Sequence, residues 1–377
     1  MARGTVVRVR ILHVTDCYLP MLGGIEMQVS QLAAHQAESH DVSVLTTTLP
    51  ADGRPGRSRE AHGAVDVYRI AARMPFGMPV HPLAAPHLRD LVGRLDPDVV
   101  HFHMGGTAPS VQSALRAGGD RPAVLTIHSV WTPAVSRAYR ALAWLTRFPD
   151  WGIALSAVSE LCARPVAAAT GTPVMVVGNG IDVATWRTTP VPHDGVHVVS
   201  ATRFAPRKRV GALLRVLRAA RAELGDAAPL RATIAGDGPE LARARRWVRE
   251  NGMADWVDLP GRLDSAGLRE LYRHADAYLA PVVLEAFSIA VLEAQAAGLA
   301  VVVRSQSGAA ERLTHGVDAL LADDDAALAA AVVRLVREPG LREGITAHNR
   351  ATPPPYDWED VLERTAAVYD AAAALRA

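Results

Sequence analysis

The sequence predicts an α/β protein made of two doubly wound parallel sheets. Three observations carry this. Short apolar runs rich in Val, Ile, Leu and Ala alternate along the chain with helical stretches, as buried parallel strands alternate with crossover helices. The 377 residues suggest two domains, each long enough to bury its own core. The aperiodic stretch Arg187-Thr-Thr-Pro-Val-Pro-His-Asp-Gly195 divides one such series from another and reads as a linker.

In the first series, Val9–Thr15 reads as a buried strand. The loop Asp16-Cys-Tyr-Leu-Pro-Met-Leu-Gly23-Gly24 follows it, and Ile25–Glu38 then has helical spacing. Strand, glycine loop and helix in that order can hold an anion or a sugar at a helix N-terminus. Gly-Gly alone is also what a tight turn needs. Strands are expected at 42–46, 65–70, 99–103, 123–128, 153–159 and 174–177, with helices at 83–95, 108–117, 133–147 and 160–170. In the second series, strands are expected at 196–201, 231–235, 256–259, 277–280 and 300–303. Helices are expected at 209–223, after Gly236-Asp-Gly-Pro-Glu240, at 265–274, near 287, at 324–337 and 341–348, and from Tyr356 onward.

Composition bounds the function. Formal net charge is +1, without the basic excess of a nucleic-acid binder, so no nucleic-acid partner is expected. Two cysteines, Cys17 and Cys162, make neither a disulfide framework nor a zinc pattern and fit a reducing compartment. The stretch Met1-Ala-Arg-Gly-Thr-Val-Val-Arg8 has no apolar core of a signal peptide. No run nears the roughly 18 apolar residues of a membrane span. A cytoplasmic protein is expected.

Two stretches keep a membrane surface open as a partner of the N-terminal domain, at the inner face of the membrane. Met74-Pro-Phe-Gly-Met-Pro-Val-His-Pro82 is an apolar, proline-rich loop, either packed on its own domain or facing an acceptor or a membrane. Residues 131–151 carry Trp131, Tyr139, Trp144, Phe148 and Trp151 with Arg137, Arg140 and Arg147. Such a helix either divides into core and solvated faces or meets an interface.

The chemistry concentrates in the second series. Lys208 is the single lysine of a chain otherwise cationic through arginine. It lies in Ala201-Thr-Arg203-Phe-Ala-Pro-Arg-Lys208-Arg-Val, which leaves a strand and opens a helix. Arg203 and Lys208 can therefore converge at the carboxyl ends of the strands, where open α/β sheets bind ligands. A diphosphate suits such a pair, Arg as a planar fork and Lys as a point charge. In Glu285-Ala-Phe-Ser-Ile-Ala-Val-Leu-Glu293 two carboxylates bracket an apolar helix start near Phe287 or Ser288. The helix N-terminus offers unpaired N–H groups. Glu285 can accept from sugar hydroxyls, and Glu293 can take the two hydroxyls of a ribose.

Taken in order, Gly23-Gly24-Ile-Glu26, Asn179-Gly-Ile-Asp182, Arg203 with Lys208, Gly236-Asp-Gly-Pro-Glu, the Glu285-to-Glu293 motif with Ala297-Gly298, and Tyr356-Asp-Trp-Glu resemble the family 4 retaining glycosyltransferases. The resemblance spans essentially the whole chain. It implies the GT-B fold: two Rossmann-like doubly wound domains facing a cleft, with a C-terminal helix crossing back to the N-terminal domain. The expected division is 1–187 on the acceptor side, 196–355 for the nucleotide sugar and 356–377 for the returning helix.

Carried over by residue, the resemblance makes His128, Arg203, Lys208 and Glu285 the catalytic set. Donor binding falls to Gly23, Gly24, Gly236, Arg262, Phe287, Ser288, Ile289 and Glu293. Ser288 stands where the family often has Gly, and Gln306-Ser-Gly308 replaces a more usual Gly-Gly. The implied reaction moves a hexosyl group from a UDP- or GDP-sugar to the hydroxyl of a small molecule, glycan or lipid. It proceeds with retention, through same-face attack in which the leaving diphosphate helps to take the acceptor's proton. No cofactor is expected, and no metal, since no Asp-x-Asp motif is placed in the cleft. The rivals are a non-catalytic nucleotide-sugar-binding subunit and a GT-B-like sugar-nucleotide epimerase or phosphorylase.

Overall fold

The computed structural model describes residues 8–74, 78–81, 83–106, 108–225 and 229–377. The expectation for the N-terminal stretch therefore lies outside the described residues over 1–7. That for the proline-rich loop does so at Pro75, Phe76, Gly77 and Pro82. The described chain divides into two compact units, 8–180 with 358–377, and 181–357.

The first unit is built on eight strands: β1 (Arg10–Thr15), β2 (Asp41–Thr46), β3 (Gly56–His62), β4 (Val65–Ala71), β5 (Val99–Met104), β6 (Ala123–Ile127), β7 (Ile153–Ala157) and β8 (Val174–Val176). Their order is β3-β4-β2-β1-β5-β6-β7-β8. All pairs are parallel except β3 with β4. Every residue of β5, β6 and β7 is buried, the signature of strands covered on both faces. The helices are α1 (Gly24–Gln36), α2 (Ala84–Leu95), α3 (Pro109–Ala114), α4 (Pro133–Thr146) and α5 (Glu160–Thr170). Ser159 caps α5 by accepting from Cys162 N at 3.3 Å, and Gly171 ends it at φ 70°, the left-handed stop that glycine permits.

The second unit opens on α6 (Val183–Trp186). Its strands are β9 (Val196–Ala201), β10 (Leu230–Ala235), β11 (Val257–Gly261), β12 (Ala277–Ala280), β13 (Ala300–Arg304) and β14 (Ala319–Ala322). They run β11-β10-β9-β12-β13-β14, every pair parallel. This is the doubly wound order in which the winding reverses between the first and fourth strands. Around the sheet lie α7 (Val210–Leu224), α8 (Leu241–Glu250), α9 (Ser265–Arg273), α10 (Ile289–Ala296), α11 (Asp325–Arg337) and α12 (Pro339–Ala351). Val210, Leu213, Leu214 and Leu217 of α7 and Leu328, Val332 and Leu335 of α11 share one core with the sheet.

The last helix, α13 (Trp358–Ala374), returns to the first unit and packs on α1, β6 and β7. Trp358, Val361, Val368 and Ala372 are buried there. The Trp358 ring stacks on His35 at 4.7 Å. It also covers Gly180, where a Cβ would come within 2.8 Å of the indole. That contact accounts for the glycine of Asn179-Gly-Ile-Asp182.

Candidate active site

In the second unit, β9 and β12 are neighbours and their following connections part to opposite sides of the sheet. The crevice at their carboxyl ends is the position where open α/β sheets take ligands. Lys208 ends a single 3-10 turn, Pro206–Lys208, in the connection after β9. Glu285 lies in the connection after β12. The two side chains meet, Lys208 Nζ donating to Glu285 Oε2, and both are largely covered, with about a fifth of each side chain exposed. Arg203, at the mouth of β9, is exposed. Its guanidinium carries no ion pair or hydrogen bond to any of the described residues.

Backbone geometry explains how these groups are held. Arg209 adopts φ 56° between the turn and α7. Its guanidinium donates to Pro281 O at 2.7 Å and to both oxygens of Asp325 at 3.0 and 2.8 Å, fastening the Lys208 turn to the β12 connection. Gly236 sits at φ 145° with Thr202 O where its Cβ would stand, 1.8 Å away. Phe204 N donates to Asp237 O at 2.9 Å. The Gly236-Asp-Gly238 loop thus braces the backbone on either side of Arg203.

The helix of the two-carboxylate motif, α10, starts at Ile289, one residue beyond the expected range. Ser288 precedes it at φ 63°, ψ 84°, in the left-handed region where glycine is unstrained. Ser288 therefore meets this backbone need under strain. Arg312, which no sequence motif marks, lies partly covered beneath this loop. It donates to Phe287 O at 2.7 Å and Ser288 O at 3.1 Å and lies over the Phe287 ring at 4.5 Å. Burial pulls its pKa down to about 10. Gly308 N donates to Glu285 O at 2.8 Å, and a Cβ on Gly308 would stand 1.9 Å from Ala286 O. The Gln306-Ser-Gly308 loop therefore carries the glycine that lets two backbones touch.

Glu293, on the second turn of α10, has no hydrogen-bond partner for its side chain among the described residues. Burial pushes its carboxyl up to about 8, because the charged form loses its hydration. Arg262, just past β11, is exposed and unpaired among the described residues.

His128, Gly23 and Gly24 belong to the first unit. A Cβ on Gly23 would meet the flexible carboxylate of Glu26 at 2.4 Å, whereas one on Gly24 would meet nothing within 4 Å. Packing within the described residues does not require glycine at 24. His128 follows β6, its N–H donating to Met104 O at 2.9 Å. Behind it lie three buried histidines that the sequence reading did not single out, His13 of β1 and His101 and His103 of β5. Their nearest ring nitrogens all lie within 4.8 Å of one another, the spacing of a metal site. All six nitrogens, however, already have partners. His13 reaches Gln36 Oε1 and His103, His103 reaches His128, and His101 reaches Tyr369 and Thr126. Hydrogen bonding accounts for the cluster. The signal available in the sequence was a histidine inside otherwise apolar buried runs.

Two Rossmann-like units, the second with a cation-lined switch point, define the GT-B class of glycosyltransferases. The sequence pattern described as Glycosyltransferase Family 4 matches residues 22–185, and that described as Glycosyl transferases group 1 matches residues 195–338. The phosphatidyl-myo-inositol mannosyltransferase of Mycolicibacterium smegmatis is 31% identical over 363 residues, covering 92% of this chain and 90% of the relative. The glycogen synthase of Mycobacterium tuberculosis is 32% identical over 410 residues, covering 96% and 95%. The crystal structure of Anabaena HepE in complex with UDP and glucose superposes with a TM-score of 0.72 at 19% identity, covering 96% of this chain and 99% of that one. The chain belongs to glycosyltransferase family 4, and its activity is glycosyl transfer.

Proposed function

We propose that this glycosyltransferase moves a hexosyl group from a nucleotide diphosphate sugar to an acceptor hydroxyl, with retention and without a metal. The observation that carries the proposal is the contact of Lys208 with Glu285 at the switch point, with the unpaired Arg203 beside the same strand end. Arg203 and Lys208 supply positive charge for a diphosphate, and the N–H groups opening α10 add donors. With donor bound, Lys208 turns from the carboxylate to phosphate oxygen, and Glu285 accepts from sugar hydroxyls. The bond from the anomeric carbon to the diphosphate oxygen breaks. The acceptor oxygen bonds to that carbon on the same face, and its proton passes to the departing diphosphate. In this reading the two cations neutralise the leaving charge, a task that a metal performs elsewhere. Glu293 takes the ribose hydroxyls, Arg262 borders the base, and Gly24 and His128 approach the sugar. HepE carries UDP and glucose in its crystal structure, which supports UDP as the donor nucleotide.

For the acceptor we propose a polyol hydroxyl carried on a lipid. The relative named as a phosphatidyl-myo-inositol mannosyltransferase supports this. So does the outer face of α4, where Trp144 is 81% exposed and Leu145 73%, with Arg140 and Arg137 exposed one and two turns before Trp144. Trp131, by contrast, is buried and stacks on Tyr139 at 4.3 Å. An exposed Trp and Leu among arginines suit the headgroup zone of an anionic bilayer.

The deciding experiment is a screen of nucleotide sugars against phosphatidylinositol and free polyols in EDTA, with the linkage of each product read by NMR. A new bond that keeps the donor's anomeric configuration is expected. An inverted product, a metal requirement, or an epimerised donor with no second molecule glycosylated would each defeat the reading. Trp144→Ser with Leu145→Ser is expected to weaken binding to anionic vesicles about tenfold while sparing a water-soluble acceptor. Unchanged vesicle binding would remove the membrane part alone.

A further inference from the structure

The buried histidines of the first unit form a directed chain, and its direction can be worked out from the far end. Gln36 Nε2 donates to Tyr369 OH at 3.0 Å, which leaves Gln36 Oε1 as the acceptor facing His13 Nε2 at 2.8 Å. His13 therefore carries its proton on Nε2, and its Nδ1 is a bare acceptor. His103 Nε2 lies 2.9 Å from that Nδ1, so His103 donates from Nε2 and accepts at Nδ1. His128 Nε2 lies 3.1 Å from His103 Nδ1 and donates to it.

The same Gln36 orientation directs a side branch. Tyr369 OH accepts from Gln36, so it donates to His101 Nδ1 at 2.9 Å. His101 then donates from Nε2 to Thr126 Oγ1 at 2.7 Å, and Thr126 donates to Ser156 Oγ at 2.5 Å. Each contact pairs one donor with one acceptor. The assignment needs neutral rings. Burial supplies them, holding His13 and His128 down at about 4 and His101 and His103 well below the ordinary histidine value.

We infer that Gln36, His13 and His103 act as positioning residues that fix His128 in the Nε2–H tautomer and leave its Nδ1 as a hydrogen-bond acceptor. Strands β1 and β5 and helix α1 hold the chain behind His128, so its ring is set by the core rather than by its own loop. This rests on the reading of His128 as a sugar-contacting group. An acceptor at Nδ1 takes a hydrogen bond from a sugar hydroxyl and repels phosphate oxygen, which assigns His128 to the sugar rather than the diphosphate.

The test is nitrogen NMR of the full-length protein labelled at its histidine rings. Couplings across two N–H···N bonds are expected, with the proton on His103 Nε2 in one and on His128 Nε2 in the other. A proton on Nδ1 of His13, His103 or His128 would overturn the inference, as would the absence of both couplings. Among variants, His103→Leu is expected to lower kcat about tenfold, the worth of one hydrogen bond, and to abolish the His128 coupling. His103→Asn, whose amide oxygen can stand in for Nδ1, is expected to restore most of the rate. If His128→Ala is inactive while His103→Leu turns over normally, the chain fails and the sugar contact stands. If His128→Ala itself turns over normally, the sugar contact fails, and the NMR result still decides the chain.

Discussion

Lys208 stands out in the sequence because every other cation outside histidine is an arginine. A solitary lysine at a strand-to-helix turn has to be explained by a task that arginine does not do. Arg203→Ala and Lys208→Ala are each expected to lower kcat by about a hundredfold or more, the usual cost of removing one group that stabilises developing charge. Circular dichroism should show both proteins folded. Near-normal turnover in both would refute the assignment of the diphosphate.

Glu293 makes a prediction with a sign. Its free carboxyl titrates near 8, so at neutral pH it is mostly protonated. If two ribose hydroxyls donate to the ionised form, donor binding releases a proton. Affinity for the nucleotide then rises with pH up to about 8, by at most about tenfold per pH unit, and levels off above it. Calorimetric titration of the nucleoside diphosphate from pH 6 to 9 measures this. Glu293→Gln is expected to bind weakly with a flat profile, and a flat profile in the wild type would remove the ribose contact. Arg209, Arg312 and His13 were not legible in the same way. Each works through the backbone or a partner far away in sequence, and nothing in its immediate neighbours marks it out.

At the scale of elements, the strands that alternate with helices were readable because both faces of a parallel sheet are covered, leaving continuous apolar runs. The two strands that were missed lack that signal. The edge strand β3, Gly-Arg-Ser-Arg-Glu-Ala-His, is charged and exposed, as edges that must not pair further tend to be. The strand β14 is only Ala-Leu-Leu-Ala, too short to show a period. The single turn α6 falls just before the stretch read as a linker. The loop from Glu285 to Ser288 is held by Gly308 and Arg312 rather than by its own residues. Gly308→Ala would force a Cβ against Ala286 O. It is expected to cost about 2 kcal/mol of stability and about a hundredfold in kcat, since the sugar-binding carboxylate would be displaced by a fraction of an ångström or more. Ser288→Gly should relieve the left-handed strain and leave both nearly unchanged. Urea titrations alongside turnover separate the two variants, and an unaffected Gly308→Ala would show that the loop is not braced there.

At the scale of the whole molecule, the chain leaves the first unit after Gly180 and rejoins it at Trp358, and α13 fills a gap in the core of that unit. Truncation after residue 357 is expected to expose Val361's and Val368's partners on α1, β6 and β7. It should unfold the first unit while the second, with its own sheet and core, keeps its thermal transition. A single unchanged transition in the truncated protein would contradict this.

The same interruption imposes an order on synthesis. The second unit has all of its strands outside the ribosome while the first still lacks its last helix, although the first was begun earlier. During that interval β6 and β7 stand without their cover, and the half made first is finished last. On the ribosome the second unit is then expected to complete its core before the first, the reverse of the usual N-terminal-first order.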